Sequence, residues 1–182
     1  MKFEVIHSEK AYLGRAFDVR KDQVRMPDGQ PKQRDVVEHN PSVVLVPVDD
    51  DGQIMFVRQH RYPVAEYLLE LPAGVIEAGE SPLSTAQREI REEIGMAAEE
   101  LVMVGEFYLA PGYSTELMYV FMARGLSDDP LPADDDEFIS VETLPMKSLY
   151  DQSMLLQFRD AKTLAALFLA RPYFQDFISI SN

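Results

Sequence analysis

Residues 74–96, GVIEAGESPLSTAQREIREEIGM, place five glutamates and two arginines in a loop followed by an amphipathic helix. Ser81 and Pro82 are suited to the N-cap and first helical position, and Gly95 to the C-terminal stop. Leu83, Ala86, Ile90 and Ile94 recur at helical spacing and are the expected buried face. Glu89, Glu92 and Glu93 crowd neighbouring turns near the C-terminal end. There the helix dipole disfavours negative charge, and like charges at i,i+3 and i,i+4 repel. On a wheel of about 100° per residue the three carboxylates fall opposite and beside the apolar stripe, with Arg88 next to them. Something outside the helix must offset that repulsion. Three carboxylates within one turn form the hard-oxygen patch that Mg2+ or Mn2+ prefers. The competing reading is a solvated acidic face braced by Arg88 and Arg91.

The chain has 182 residues, 46% hydrophobic and 26% charged, which predicts one globular domain with a substantial core. A net charge of −14 argues against nucleic acid or an anionic membrane as partner. It leaves room for an anionic small molecule, because a few arginines or a metal invert the field inside a cleft. With no cysteine there is neither a disulfide framework nor a thiolate zinc site. MKFEVIHSEK lacks the apolar run of a signal peptide, and the expected location is cytoplasmic.

Extended segments precede the helix. Phe3–Ile6 and Ala16–Met26 alternate, Pro27-Asp28-Gly29-Gln30 signals a turn, and residues 34–38 resume as strand. VVLVPV (43–48) and IMFVRQH (54–60), joined by DDDGQ, read as a second hairpin whose first arm is buried on both faces. LLELPAG (68–74) reads as one short strand. LVMVGEFYL (101–109) and LMYVFMARGL (117–126) flank the loop APGYSTE, and FISVETL (138–144) is a further strand. Residues 127–137 form an acidic loop, and residues 153–170 an amphipathic helix. The order predicts an α/β fold: a mixed sheet covered by helices on both faces, preceded by N-terminal antiparallel strands. Residues 1–40 form that N-terminal region and residues 41–182 the main domain.

Gly74, Glu80, Arg88-Glu89-Ile90, Glu92-Glu93 and Gly95-Met96 occupy nine positions at fixed spacing. They resemble the Nudix box at each of its defined positions. The resemblance implies a Nudix hydrolase: an α/β/α sandwich that cleaves a nucleoside diphosphate linked to another moiety, using Mg2+ or Mn2+. By position it makes Glu89 and Glu93 the principal metal ligands, Glu92 a third, and the Ala73 carbonyl a further one. Arg88 and Glu80 would hold the loop against the helix. Pro111, sixteen positions after Gly95, and VRQHRYP followed by LLELPAG are similar to ADP-ribose pyrophosphatases and related nucleoside diphosphate sugar hydrolases. Those relatives imply a homodimer built through the N-terminal strands. The alternatives within reach of the resemblance are a GDP-mannose or other sugar-nucleotide hydrolase, or a non-catalytic Nudix ligand sensor.

A pyrophosphate repels nucleophiles, so its hydrolysis needs charge neutralisation and a proton acceptor for water. Glu116 is the first candidate for that acceptor, or for an additional metal ligand, with Glu93 and Glu137 as alternative acceptors. Gly112 and Ser114 predict a mobile loop around Glu116. Arg58 and Arg61, three apart at a strand end, are candidates for phosphate oxygens, against a plain surface pairing with Glu66 or Glu70. Glu70 has two functional readings, a bond to a ribose hydroxyl or to an arginine across a dimer. Phe17 and Tyr12 are candidates to stack on the base from a partner subunit, against ordinary packing in the core.

Overall fold

The computed structural model describes residues 2–132, 138–149 and 151–174. It divides into two compact units, Met1–Pro41 with Tyr108–Leu117, and Ser42–Phe107 with Met118–Asn182.

In the first unit β1 (Glu4–Leu13), β2 (Asp18–Arg25) and β3 (Pro31–Glu38) form an antiparallel sheet in that order. Between β2 and β3 the turn closes through bonds from Gly29 N to Met26 O and from Met26 N to Gln30 O, both 2.8 Å. Gly29 sits at φ 85°, where a side chain is disfavoured. Every residue of β1 is exposed. The two backbone ladders carry the sheet, and ion pairs lie across it: Lys10 with Asp18 and Glu38, and Arg20 with Glu38 and the buried Asp22. The segment after Leu109 also belongs to this unit. Val37 N donates to Tyr113 O at 2.8 Å and Thr115 N to Val37 O at 3.0 Å, so the segment runs parallel to the end of β3. A mobile loop was expected there, and the structure instead shows one whose backbone groups are satisfied along β3.

The second unit is organised on β4 (Ser42–Pro47), six residues that are all buried. β7 (Ala73–Val75) pairs antiparallel on one edge of β4 and β9 (Leu117–Asp128) parallel on the other, with β8 (Met96–Tyr108) beyond β9. The second sheet is antiparallel, in the order β10 (Ile139–Pro145), β5 (Gln53–Arg61), β6 (Glu66–Glu70). Val43 and Leu45 of β4 join Val57, Phe121 and the helix residues Ala86, Ile90 and Ile94 in one apolar cluster. Strand alternation turns Val44 and Val46 to the other face. The helices α1 (Pro82–Ile94) and α3 (Ala161–Ala170) both pack on β4, giving the layered α/β arrangement.

Three sequence expectations change here. The second hairpin does not form: both edges of β4 are taken by β7 and β9, and β5 enters the other sheet after a single bridge between Val48 and Ile54. Residues 68–74 are not one strand. Pro72 has no N–H to continue a ladder, so the chain leaves β6 at Glu70 and re-enters the first sheet at Ala73. The C-terminal helix is broken into α2 (Gln152–Leu155) and α3, because Asp160 caps a new helix by accepting from Thr163 N at 2.9 Å.

Around α1 the expected caps are present. Ser81 accepts from Ser84 N at 3.1 Å while Ser84 Oγ accepts from Ser81 N at 2.8 Å, and Gly95 takes φ 71°. The buried stripe is shifted from the expected one: Leu83 is 46% exposed, while Glu89 and Glu93 are buried beside Ala86, Ile90 and Ile94. Ser81→Ala removes an oxygen acceptor from this cap and is expected to lower stability by about 1 kcal/mol. Urea unfolding that shows no change in midpoint would contradict that role for Ser81.

Candidate active and metal site

Between β7 and α1 the chain turns through Gly79 at φ 90°, with Glu80 N donating to Glu77 O at 3.0 Å. This turn places Glu80 against the first half of α1. Glu80 accepts from Thr85 Oγ1 at 2.7 Å and from Arg88 Nε and Nη2 at 2.9 and 3.0 Å. Arg88 Nη1 donates to Glu89 Oε1 at 2.7 Å and to Glu92 Oε2 at 2.8 Å, while Nη2 also reaches Val75 O at 3.2 Å. One guanidinium is thus shared among three carboxylates and a carbonyl. It pulls the Glu80 carboxyl from its usual 4.5 to about 2, and Glu80 in turn raises Arg88.

Glu89 lies directly on the backbone of β7. A Cβ built on Gly74 would meet Glu89 Oε1 at 1.8 Å, so only glycine lets the carboxylate rest there. Glu93 is tied to the neighbouring residue, with Ala73 N donating to Glu93 Oε2 at 2.9 Å. Glu89 and Glu93 are 7% and 5% exposed. Burying carboxylates is costly unless opposite charge and hydrogen bonds compensate them. Glu80, Glu89, Glu92 and Glu93 thus gather around one stretch of helix, with Arg88 bonded to the first three and Arg61 within electrostatic reach of the fourth. Among the described residues, no three acidic or histidine side chains are gathered closely enough to hold an ion as they stand. Arg88 Nη1 bridges the two oxygens, of Glu89 and Glu92, that an ion would need. The donor chemistry nevertheless fits a hard divalent cation: carboxylates on one helix, no nitrogen or sulfur ligand beside them, and a bare Gly74 backbone beneath.

Arg61 is opposite Glu66 in the β5–β6 ladder and Glu70 opposite Val57, yet the long Arg61 side chain reaches Glu70. Arg61 Nε and Nη2 donate to Glu70 Oε1 and Oε2 at 2.8 and 2.7 Å. Lys162 also bonds Glu70, which is 1% exposed. Burial pushes the Glu70 carboxyl up, but the bonds from Arg61 and Lys162 outweigh it and leave it lowered. Glu70 is therefore closed off by two cations of its own chain, and the two functional readings of it meet a carboxylate already bonded twice. Arg61 is raised, chiefly by its bond to Glu70 and also by the nearby Glu93 carboxylate, so it belongs to the same cluster as the helix acids. Arg58 stands apart. It makes a two-pronged pair with Glu142 across β5 and β10, not with Glu66 or Glu70.

The first unit holds the other candidates. Glu116 Oε1 is 3.9 Å from His39 Nδ1, and Thr115 Oγ1 both accepts from His39 N at 3.0 Å and donates to His39 O at 3.1 Å. Phe17 is partly exposed, tilted against Tyr12 with ring centroids 6.4 Å apart, and away from the core. It lines a cavity of about 450 Å3 with Lys10, Arg15, Glu38, His39 and Thr115. Glu137 lies outside the described residues. Sequence reading missed His39, which has no ligand spacing, and Lys162, which reads only as a helix residue two places after an N-cap.

Comparison with known proteins places the chain in a family. A family model described as NUDIX domain matches residues 38–167. The chain is 34% identical over 166 residues to an ADP-ribose pyrophosphatase of Bacillus subtilis (strain 168), covering 90% of each. It is 28% identical over 144 residues to a GDP-mannose pyrophosphatase of Yersinia pestis (strain Pestoides F), covering 74% of this chain and 72% of that one. A solved structure titled as that of an ADP compounds hydrolase superposes with TM-score 0.85 at 26% identity, over 97% of this chain and 96% of the other.

The depressed Glu80 carboxyl makes stability pH-dependent. Its folded value lies below its unfolded one, so its contribution is complete above pH 4.5 and is lost as pH falls toward about 2. Glu80→Gln is expected to be less stable than the parent at pH 7, with the gap narrowing across that window. Equal urea midpoints at pH 7 would show that the Arg88 bond contributes nothing net.

Proposed function

The chain belongs to the NUDIX family, and from that premise we propose that it is a Mg2+-dependent pyrophosphohydrolase acting on ADP-ribose and related nucleoside diphosphate sugars. The products are a nucleoside monophosphate and a sugar phosphate. Nudix hydrolases generally use divalent metal ions, and Mg2+, with Mn2+ as its substitute, is the assignment that fits an all-oxygen donor set. The observation that carries the reading is the seat of Glu89 on the Gly74 backbone beside Arg88, Glu92 and Glu93. That cluster is costly as structure alone and economical as a cation site.

Glu89, Glu92, Glu93 and the Ala73 carbonyl are the residues that would hold the ion. What a divalent cation supplies when bound is neutralised pyrophosphate charge and a more acidic water. The remaining roles fall to side chains. Arg88 keeps Glu89 and Glu92 oriented. Arg61, partly exposed beyond its bond to Glu70, binds a phosphate oxygen, and Arg58 on the same strand is the second candidate, one that must exchange its pair with Glu142 for a phosphate. Glu70 positions Arg61 rather than touching substrate. Glu116 accepts the proton of the attacking water, Phe17 stacks on the base, and Glu93 and Glu137 compete with Glu116 for the proton. Water attacks one phosphorus, and the bridging oxygen leaves with the other.

The test is a panel of nucleoside diphosphate sugars assayed for phosphate monoester release with and without Mg2+. ADP-ribose is expected to lead, and a preference for GDP-mannose would favour the second reading. No release from any member would favour a ligand sensor. Glu93→Gln is expected to abolish most turnover while the fold persists, and activity within about threefold of the parent would remove Glu93 from the metal site. Glu116→Gln is expected to lower kcat about 10²-fold or more with a smaller change in KM. Parental kcat in that variant would move the proton acceptor to Glu93 or Glu137, which Glu137→Gln separates.

We also propose a homodimer formed through residues 1–40. Supporting it, β1 is exposed along its whole length and carries Val5 and Leu13, with Phe3 and Phe17 exposed nearby. Light scattering at micromolar concentration is expected to give about 41 kDa, twice the 20.7-kDa chain, since an apolar face of this kind is rarely left uncovered. A 20.7-kDa monomer there would refute the dimer and any role for Phe17 across subunits.

A further inference from the structure

A guanidinium bonded twice to a carboxylate is largely neutralised by it, so Arg61 paired with Glu70 alone would be a poor phosphate ligand. The structure adds a second cation to that carboxylate. Lys162, in the first turn of α3, donates to Glu70 Oε2. Its own position is fixed on both sides. Asp160 Oδ1 lies 3.0 Å from Lys162 Nζ, and the other Asp160 oxygen caps α3 by accepting from Thr163 N and Oγ1 at 2.9 and 2.7 Å. Thr163 Oγ1 accepts in turn from Leu71 N at 2.9 Å, which ties this helix turn to the residue after Glu70. Lys162 is itself mostly buried, its side chain 13% exposed.

We propose that Lys162 is a positioning residue for the substrate, acting through Glu70 on Arg61. Lys162 shares the Glu70 charge, so that the carboxylate neutralises less of Arg61 than it would alone. The charge of Asp160 is offset in part by the N-terminus of α3 that it caps, and it still reaches both Lys162 and Arg61. The carboxylate of Glu70 then serves as a rigid bracket that fixes the Arg61 guanidinium without cancelling it. Without Lys162 the same carboxylate would hold a buried, uncompensated charge and draw on Arg61 alone. This inference rests on the reading of Arg61 as a phosphate ligand.

The decisive measurement is steady-state kinetics with ADP-ribose and Mg2+, on variants confirmed folded by circular dichroism, well below each melting temperature. Lys162→Met is expected to raise KM about tenfold with kcat within about twofold, and Lys162→Arg to restore KM. A structural role alone would lower the melting temperature and leave KM in place. The second arm keeps the test open if Lys162→Met does not fold. With Glu70→Gln as background the carboxylate through which Lys162 acts on Arg61 is gone, so adding Lys162→Met is expected to change KM by less than about twofold. A parental KM in Lys162→Met, or an equal rise in KM with and without the Glu70 charge, would overturn the role of Lys162. Arg61→Gln separates that failure from a deeper one. If Arg61→Gln raises KM while Lys162→Met does not, only the positioning role is lost. An unchanged KM in Arg61→Gln overturns the phosphate reading of Arg61 and the role of Lys162 with it.

Discussion

The burial of Glu89 and Glu93 on the face that α1 turns toward β4 and β7 is the constraint from which the rest of the site follows. A helix normally presents apolar atoms to the sheet it covers, and carboxylates there must be compensated. Arg88 compensates part of the charge by bonding Glu80, Glu89 and Glu92 at once. Ala73 N supplies Glu93 with a donor, and Gly74 supplies Glu89 with room. Each of these partners sits at a fixed offset from the carboxylate it serves. A side chain at position 74 would displace Glu89, and a neutral residue at 88 would take the guanidinium from Glu80, Glu89 and Glu92.

Delivering Gly74 to Glu89 depends on β4. With β9 paired along one edge, β4 accepts only one more neighbour, and the three residues of β7 take that place, Gly74 opposite Val43 and Ala73 opposite Val44. Val43 already belongs to the cluster of Ala86 and Ile90, so this register sets Gly74 beside the same turns of α1. The chain reaches β7 from the other sheet by crossing Leu71-Pro72. Leu71 N is satisfied by Thr163 and Pro72 O by Leu45 N, at 2.9 and 2.8 Å, so the crossing carries no orphaned polar group at these points. The same crossing places Glu70 on one sheet and Ala73 on the other. Arg61 and Glu93 are brought within electrostatic reach of one another by a change of sheet, not by any local motif.

This explains what the sequence made legible. The caps of α1, the all-buried β4, the N-terminal strands and the box acids are local patterns, each readable within a few turns or one strand. Contacts between distant segments were not. The hairpin expected at 43–60 has the right strands and the right turn, but hairpin pairing requires a vacant strand edge, and the occupants of those edges come from residues 73–75 and 117–128. The wheel for α1 erred by ranking Leu83 above Glu89, since hydropathy alone cannot register a carboxylate accommodated by a glycine on another strand. Lys162 and His39 were invisible for the same reason. Their partners, Glu70 and Glu116, are 92 and 77 positions away along the chain, as the numbering shows.

The segment carrying Glu116 gives the last step. Glycine and serine predicted a flexible loop, yet flexibility requires that backbone groups find water when the loop opens and shuts. Here Tyr113 O and Thr115 N are engaged by Val37, Glu116 N by Ser114 Oγ, and Glu116 O by Leu109 N. Moving Glu116 inward would break several of these bonds together, each worth roughly 1 kcal/mol net. A carboxylate held this way acts, if it acts, from a fixed position. His39, braced at both its N–H and its carbonyl by Thr115, belongs to the same fixed frame.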